Sequence, residues 1–584
     1  MRTADILSFT TFDGVDLAYR HWPGEPAAGQ TRRAIVLFHR GHEHGGRIAH
    51  LVDELDLPDC DFFAWDARGH GLSPGARGDS PSFGTSVSDV QAFMEHIARQ
   101  HSIDIHDVVV VAQSVGAVVA ATWVHDYAPR IRALVLASPA FKVKLYVPFA
   151  RPGLKLMRAL RGNFFVDSYV KARFLSHDPA RIASYDQDPL ITRAISVNVL
   201  LGLYEAAERV VSDAQSITVP TQLLISGADF VVHRKPQTRF FERLGSPHKE
   251  MHVLPGFFHD TLGEARREQA TQRIRRFVTH HFDTPAPPQM LRDADKQGWS
   301  CAEAEALATP LPQRSAAGLY WRATRAGLAL GARVSSGMRL GVETGFDSGS
   351  TLDYVYRNQP DGVPPLGRLI DRNYLNAIGW RGIRQRKLNV ESLLRLAMSQ
   401  LRAADRPIHI VDIAAGHGRY ILDAIAQSPD KPESVLLRDY SDINVRDGQA
   451  LIEEKGLSGI ARFMQADAFD RDDLAALTPK PTLAVVSGLY ELFADNAMIG
   501  NSLAGLADAM APGTLLIYTN QPWHPQLAFI ARALTSHRAG QAWVMRRRSQ
   551  DEMDQLAAHA GFRKITQRVD DWGIFTATLA QRTG

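Results

Sequence analysis

The chain has 584 residues, and 66 Lys and Arg stand against 63 Asp and Glu, a formal net charge of +3. That length implies about two to three domains, and the near balance of charge excludes a protein built as a whole for nucleic acid. Two distant cysteines, Cys60 and Cys301, exclude a disulfide framework and a cysteine-based metal site, so a reducing cytosol is expected. The first residues lack the apolar core of a signal peptide, and no stretch reads as a membrane span.

In chain order, residues 7–19 read as a hairpin around Asp13-Gly14. Strands follow at 34–38 and 62–65, then a helix over 86–100 with Ser86 as its N-cap. The run Val108-Val109-Val110-Val111-Ala112-Gln113-Ser114-Val115-Gly116 is a buried parallel strand entering a tight turn and a helix. It has the geometry of a nucleophile elbow, with Ala112 at the first glycine position. A strand at 133–137 follows. Strands then give way to helical character over about 141–212. The first part of that insertion carries Lys142, Lys144, Arg151, Lys155, Arg158 and Arg161 among Leu145, Tyr146, Val147, Phe149 and Leu156. A basic amphipathic segment over a sheet edge suits contact with anionic lipid, or is a lid helix with a solvated basic face. Strands resume at 221–225, before Asp229, and at 250–254, before His259. The order Ser114, Asp229, His259, each just after a strand, is that of a Ser-Asp-His hydrolase and differs from two other serine hydrolase orders.

These marks, with H-x-x-x-E-H-x-x-R at residues 39–47, D-x-R-G-H-G-x-S at 66–73 and P-G-x-x-H at 255–259, resemble the α/β-hydrolase superfamily over residues 8–282. The similarity is to its monoacylglycerol lipase, lysophospholipase and S33 aminopeptidase-like group. The resemblance implies Ser114 as nucleophile, His259 as general base, Asp229 as its orienter, and the N–H groups of Gly41 and Val115 as the oxyanion hole. Arg40 departs from the usual glycine, where it would crowd the hole or bind a phosphate.

Residues 284–364 read as a linker or a wrapping segment, with proline clusters, that includes a basic apolar helix over 316–340 which packs on the next domain or lies on a membrane surface. The strand 408–413 then runs into Ala414-Ala415-Gly416-His417-Gly418 and a helix over 420–427. Small residues there let backbone approach a ligand at the edge of an open α/β sheet, and the spacing matches neither a dinucleotide fingerprint nor a P-loop. Further strands at 434–437, 461–464, 482–487 and 515–519 place Asp439, Asp467 and Ser487 at strand ends. These residues resemble the class I S-adenosylmethionine-dependent methyltransferase fold over 365–584. The resemblance implies a cofactor site of Asp412, Ala414, Gly416, Gly418, Asp439, Asp467 and Ser487, with Ala468 or Phe469 against adenine. Asn373, Tyr374, Arg381 and Arg384 are expected to cover the pocket or to lie on a solvated helix face.

The expectation is therefore α/β throughout: a hydrolase domain over 1–283 with its lid, a linker over 284–364, and a Rossmann-like methyltransferase domain over 365–584. The bifunctional reading is an ester hydrolase for a lysophospholipid or monoacylglycerol joined to a methyltransferase whose cofactor is S-adenosyl-L-methionine and whose acceptor is a lipid head group or a fatty acid carboxylate. The alternatives are a peptidase or small-ester hydrolase, and a chain in which one domain is a non-catalytic SAM-binding or docking module. Expected partners are a small-molecule or lipid substrate and, peripherally, an anionic membrane. No metal, nucleic acid or obligate protein partner is expected.

Overall fold

The computed structural model describes residues 2–584 apart from Pro148, Tyr169 and Ala539. The chain divides into two compact units, Met1–Gln289 and Met290–Gly584.

The first unit is built on an eight-stranded sheet. Its strands are β1 (Asp5–Thr10), β2 (Asp16–Trp22), β3 (Arg33–Phe38), β4 (Cys60–Trp65), β5 (Val108–Gln113), β6 (Ala133–Ala137), β9 (Thr221–Ser226) and β10 (Lys249–Leu254). The short pair β7 (Phe165–Asp167) and β8 (Ala194–Ser196) lies apart, in the insertion. The spatial order is β1-β2-β4-β3-β5-β6-β9-β10. Only the β1–β2 and β2–β4 pairings are antiparallel; the rest of the sheet is parallel. All six residues of β5 are buried, as expected of a strand covered on both faces. Helix Val115–Tyr127 packs against it, and Leu51, Val52, Ile274 and Val278 share a core cluster with its Val109 and Val111. Helix Phe83–His101 is capped by Ser82, which accepts from the Thr85 N–H, and not by Ser86. The apolar periodicity alone reads correctly from Ser86 onward but misses the first turn.

Between β6 and β9 the insertion folds as helices Ala150–Arg161, Pro179–Gln187 and Val197–Ser212 with the β7–β8 pair. Helix Ala150–Arg161 buries none of its residues fully. Ion pairs Arg151–Glu208 and Lys155–Glu205 tie it to the third helix.

The second unit carries a seven-stranded sheet. Its strands are β11 (His409–Ile413), β12 (Ser434–Asp439), β13 (Ala461–Gln465), β14 (Leu483–Val486), β15 (Leu515–Asn520), β16 (Phe562–Val569) and β17 (Thr576–Arg582). The order is β13-β12-β11-β14-β15-β17-β16, with β17 antiparallel to both its neighbours. The strand order reverses at β11, so the carboxyl ends of β11 and β14 open a crevice where such sheets bind ligands.

The stretch expected as a linker is corrected by the structure. From Met290 onward it belongs to the second unit and forms helices Trp299–Ala308, Ala316–Gly331, Ser336–Thr344 and Gly349–Arg357, with helix Leu366–Leu375 following it. The expected single helix over 316–340 is two, separated by a turn whose Ser335 caps the second. Phe346, Tyr354 and Val355 from this stretch join Leu375, Trp380, Ile383, Ile530, Trp543 and Phe575 in one apolar cluster. Burial of that kind, at about 25 cal/mol per Å² of apolar surface, is what makes a stretch part of a domain core.

Candidate active sites

In the first unit the loops after β5, β9 and β10 converge. Ser114 sits between strand and helix at φ 56°, ψ −116°, a strained conformation for a residue with a Cβ. The strain is held in place by the sheet: the Ser114 N–H donates to the Ala137 carbonyl at 3.0 Å. Gly116 allows the close packing that follows, because a Cβ there would lie 2.3 Å from the His39 carbonyl oxygen. Ser114 Oγ lies 2.7 Å from His259 Nε2. His259 Nδ1 lies 2.8 Å from Asp229 Oδ2. The other Asp229 oxygen accepts from the N–H groups of Val231 and Val232 at 2.7 and 3.0 Å. Burial pushes the Asp229 carboxyl upward, but His259 and these donors outweigh it and hold it below the ordinary value. An ionised Asp229 fixes the proton on His259 Nδ1 and leaves Nε2 free to accept from Ser114.

Gly41 and Val115 also meet here, since a Cβ on Gly41 would come 2.9 Å from Val115 Cγ2. Val115 is the first residue of its helix, so its N–H has no intrahelical partner. Arg40 is buried, with Nη2 donating to Glu43 at 2.7 Å, Nε 3.9 Å from Asp260, and its guanidinium over the Tyr185 ring. Glu43 and Asp260 thus balance the charge of the guanidinium, while its Nε is buried without a hydrogen-bond partner. Arg181 of the insertion donates to Asp260 at 2.9 Å, and Gln113 does so at 3.0 Å. Burial opposes the charge on Asp260, yet Arg181 and Arg40 hold its carboxyl far below the usual range. The D-x-R-G-H-G-x-S residues are structural: Asp66 accepts from Arg20 and from the N–H groups of Gly45 and Leu72, and Arg68 bridges Asp13 and Asp89.

In the second unit a cavity of about 720 Å³ opens at the carboxyl ends of β11, β12 and β14. Ala414, Gly416, Gly418, Asp439, Asp467 and Ser487 line it. Ala414, Gly416 and Gly418 have φ of 57°, 58° and 70°, so the loop bends back repeatedly and turns backbone toward the cavity. At Gly418 a Cβ would meet Leu437 Cδ1 at 2.4 Å, which excludes larger residues. Asp439 Oδ2 accepts from the Gly416 N–H at 2.9 Å, and Oδ1 from Ser441 N–H and Asn444 Nδ2 at 3.0 Å each. Ala468, Phe469 and Tyr440 supply apolar wall beside Asp467.

Asp412 is corrected: it is fully buried beneath the loop and is not part of the cavity wall. It accepts from the Tyr420 hydroxyl at 2.7 Å, and burial followed by the nearby Asp439 charge raises its carboxyl well above the ordinary value. Its place is to support the loop. Arg381 stacks on Trp572 and Arg384 donates to the Leu375 carbonyl, so neither covers a pocket, whereas Asn373 and Tyr374 line a second, adjoining cavity. Sequence reasoning missed Asp347, Ser348, Gly349, Asp353 and His537, which also line the first cavity. Most of these lie in the stretch read as a linker, where only the serine caps gave a local signal.

A hydrolase unit with a Ser-His-Asp chain, followed by a methyltransferase-type unit with an open switch-point crevice, is the class that fold and sites define. A family model described as "Putative methyltransferase" matches residues 274–582, and the chain belongs to that family. A model described as "Serine aminopeptidase, S33" matches residues 29–266. A relative in Escherichia coli (strain K12), "Uncharacterized protein YnbC", is 56% identical over 575 residues, 98% of each chain. A monoacylglycerol lipase of Mycolicibacterium smegmatis is 23% identical over 277 residues, 47% of this chain and 97% of its own. The human monoglyceride lipase is 27% identical over 261 residues, 44% of this chain and 83% of its own. Among solved structures, a Paleococcus ferrophilus monoacylglycerol lipase covers 45% of this chain and 99% of its own at 24% identity, with a TM-score of 0.41. Among the described residues no helix is long and apolar enough to cross a membrane, and no cluster of His, Cys, Asp and Glu could hold a metal ion.

Proposed function

We propose that the first unit is a serine ester hydrolase acting on a lysophospholipid or monoacylglycerol, and that the second is an S-adenosylmethionine-dependent methyltransferase. The observation that carries the first reading is the unbroken chain Ser114 Oγ, His259, Asp229 at 2.7 and 2.8 Å. His259 takes the proton from Ser114 as the oxygen attacks the ester carbonyl. The developing oxyanion is met by the N–H groups of Gly41 and Val115, and His259 then protonates the leaving alcohol. Water, activated by the same imidazole, releases the acid. The relatives named as monoacylglycerol lipases support the acyl-glycerol class.

The insertion supports lipid as the substrate's setting. Phe149 and Leu160 are 86% and 74% exposed, beside Lys142, Lys155, Arg158 and Arg161. Apolar residues interleaved with cations suit peripheral contact with an anionic membrane. In the second unit the lining of the cavity supports the cofactor reading: Asp439 at the end of β12 would hold ribose hydroxyls, Asp467 an adenine amino group, and Ala414 to Gly418 would offer backbone contact. S-adenosylmethionine, when bound, supplies an electrophilic methyl group.

Fatty acid release from lysophospholipids, monoacylglycerols, short esters and aminoacyl amides, compared with Ser114→Ala, tests the hydrolase reading. Long-chain release that disappears in the variant supports it. Turnover of short esters or amides alone assigns the small-ester or peptidase alternative instead.

A further inference from the structure

The second unit holds another cavity, of about 340 Å³. It meets the larger one at Asp347, Leu352, Gly488 and Leu492, which line both. Its walls are aromatic and aliphatic: Phe346, Trp380, Ile383, Phe529, Trp543 and Phe575. Part of the wall comes from the stretch after Met290, through Leu328, Met338 and Tyr374.

Asp347, Asn373, Gln521, His524 and Gln526 add polar groups to the wall, beside Glu491 and Arg386. Glu491 and Arg386 form a buried ion pair at 2.7 Å, with side chains 5% and 3% exposed. The pair stands at the join of the two cavities, because a Cβ on Gly488 would lie 3.0 Å from Arg386 Nη2. Glu491 Oε1 takes Arg386 and, at 3.5 Å, the Thr519 hydroxyl. Glu491 Oε2 is buried without a hydrogen-bond partner, and so are Trp543 Nε1, Arg386 Nε and the Tyr374 hydroxyl. Buried polar atoms are nearly always paired, so one acceptor oxygen among several unpaired donors in the residues of one cavity wall marks a place for the polar atoms of a ligand.

We propose that this cavity takes the methyl acceptor, and that the acceptor is a small, uncharged, apolar molecule bearing a hydroxyl group, of the phenol class. The proposal rests on the cofactor reading of the adjoining cavity. The hydroxyl hydrogen is held by Glu491 Oε2, and an oxygen lone pair of the ligand accepts from Trp543 Nε1–H. The hydroxyl oxygen, as nucleophile, would form an O–CH3 bond as the S–CH3 bond of bound S-adenosylmethionine breaks and S-adenosylhomocysteine leaves, and its proton would pass to Glu491 Oε2. A fatty acid carboxylate has no hydrogen to offer and would set one anion against another. A diacyl lipid is far larger than a cavity at the low end of the small-molecule range. Arg386 is already neutralised by Glu491 and keeps only its Nε–H unpaired, so no net positive charge remains at the pair for a phosphate head group.

Calorimetry on the full chain tests this, with S-adenosylhomocysteine and three probes of one shape: 2-naphthol, 2-methoxynaphthalene and 2-naphthoate. The nucleoside is expected to bind alone. With it saturating, naphthol should bind at least about tenfold tighter than either analogue, the range of a hydrogen bond to a charged group. Glu491→Gln should remove the preference for naphthol over its methyl ether. Trp543→Phe, which keeps a ring and loses only the N–H, should weaken naphthol severalfold and leave nucleoside binding unchanged, so the test does not hang on Glu491→Gln folding. Nucleoside binding with no preference among the probes, or with naphthoate tightest, overturns the acceptor assignment alone. Failure to bind the nucleoside overturns the cofactor reading and the acceptor assignment together.

Discussion

Replacing Gly116 by alanine tests the hydrolase geometry at one methyl group. The added Cβ would sit 2.3 Å from the His39 carbonyl oxygen and 3.0 Å from that of Phe38. Ordinary contact begins near 3.4 Å, so strand end and helix must separate by about 1 Å. Both obstructing atoms are backbone, so no side chain can rotate aside. His39 lies two residues before Gly41, and a shift of that size carries one oxyanion donor out of its window of about 2.7–3.1 Å. The expected loss is roughly 10²–10³ in kcat, or about 2.7–4 kcal/mol of transition-state stabilisation. The fold should lose only about 1–3 kcal/mol. The assay is ester hydrolysis under saturating substrate, with active-site titration by a fluorophosphonate to count the competent serines. A folded Gly116→Ala protein with kcat within threefold of the parent would refute the placement of the hole at Gly41 and Val115.

Three other perturbations have defined outcomes. Asp439→Ala should weaken S-adenosylhomocysteine binding by roughly 10–100-fold in calorimetry, through the lost charge-assisted bonds, and leave ester hydrolysis unchanged; equal binding would remove Asp439 from the ribose site. Lys155, Arg158 and Arg161 changed together to Gln should cut sedimentation with anionic vesicles by about a hundredfold, at about 1 kcal/mol per basic residue, and the parent's binding should itself fall with salt; binding to neutral vesicles of equal strength would count against the basic face. Burial holds His524 neutral and pushes its pKa down to about 3. The unfolded chain, with an ordinary histidine near 6.5, takes up the proton first, so the folded state loses stability as pH falls below about 6.5, by about 2–3 kcal/mol at pH 4.5. Urea titrations at pH 7 and 4.5 should show that loss in the parent and a smaller one in His524→Asn; identical losses would exclude His524 as the cause.

The strands that position both sites were legible because their composition is one-sided. Val108 to Val111 is a β-branched run, as are Ile410, Val411 and Ile413 around Asp412, and a parallel strand buried on both faces needs that pattern. The chain order Ser114, Asp229, His259 was readable because each follows a strand, although Lys249–Leu254 is only partly buried. The stretch after Met290 was not. Its helices are short and carry Arg322, Arg325 and Arg339 among their apolar residues, so periodicity cannot tell a packed helix from a surface helix. What decides is tertiary: Ser335 Oγ and the Gly337 N–H both donate to the buried Asp371, 36 and 34 residues away. The run Arg546-Arg547-Arg548 hides its role in the same way. Arg546 and Arg548 are buried against Asn496 Oδ1, and Arg548 also binds the Tyr490 and Phe493 carbonyls. Through them the C-terminal part of the unit holds the loop that carries Glu491. Glu491 itself was passed over because a glutamate after Gly-Leu-Tyr has no local mark; only its unpaired oxygen in a cavity sets it apart.

The two units solve one physical problem in the same way. A buried strand must deliver a functional group to the rim of a sheet and then enter a helix at once, and an L-residue at positive φ makes that turn. In the first unit the residue is Ser114 at φ 56° and in the second Ala414 at φ 57°. Each is followed by a glycine that lets another element come close: Gly116 faces the His39 carbonyl and Gly418 faces Leu437. The turn therefore exposes a side-chain oxygen in one case and backbone in the other. The departures from glycine at these motifs differ in consequence. Ala112 lies within β5, where backbone is extended and a methyl group costs little beyond space. Ala414 sits in the left-handed region, where alanine costs about 1–2 kcal/mol. A loop that keeps that strain must be held, and the Ala415 N–H bond to Arg438, the Gly416 N–H bond to Asp439 and the buried Asp412–Tyr420 pair beneath it do so. This ties Asp439 to the shape of the loop as well as to the wall of the cavity, and it explains why Asp412, although outside the cavity, belongs to the same device.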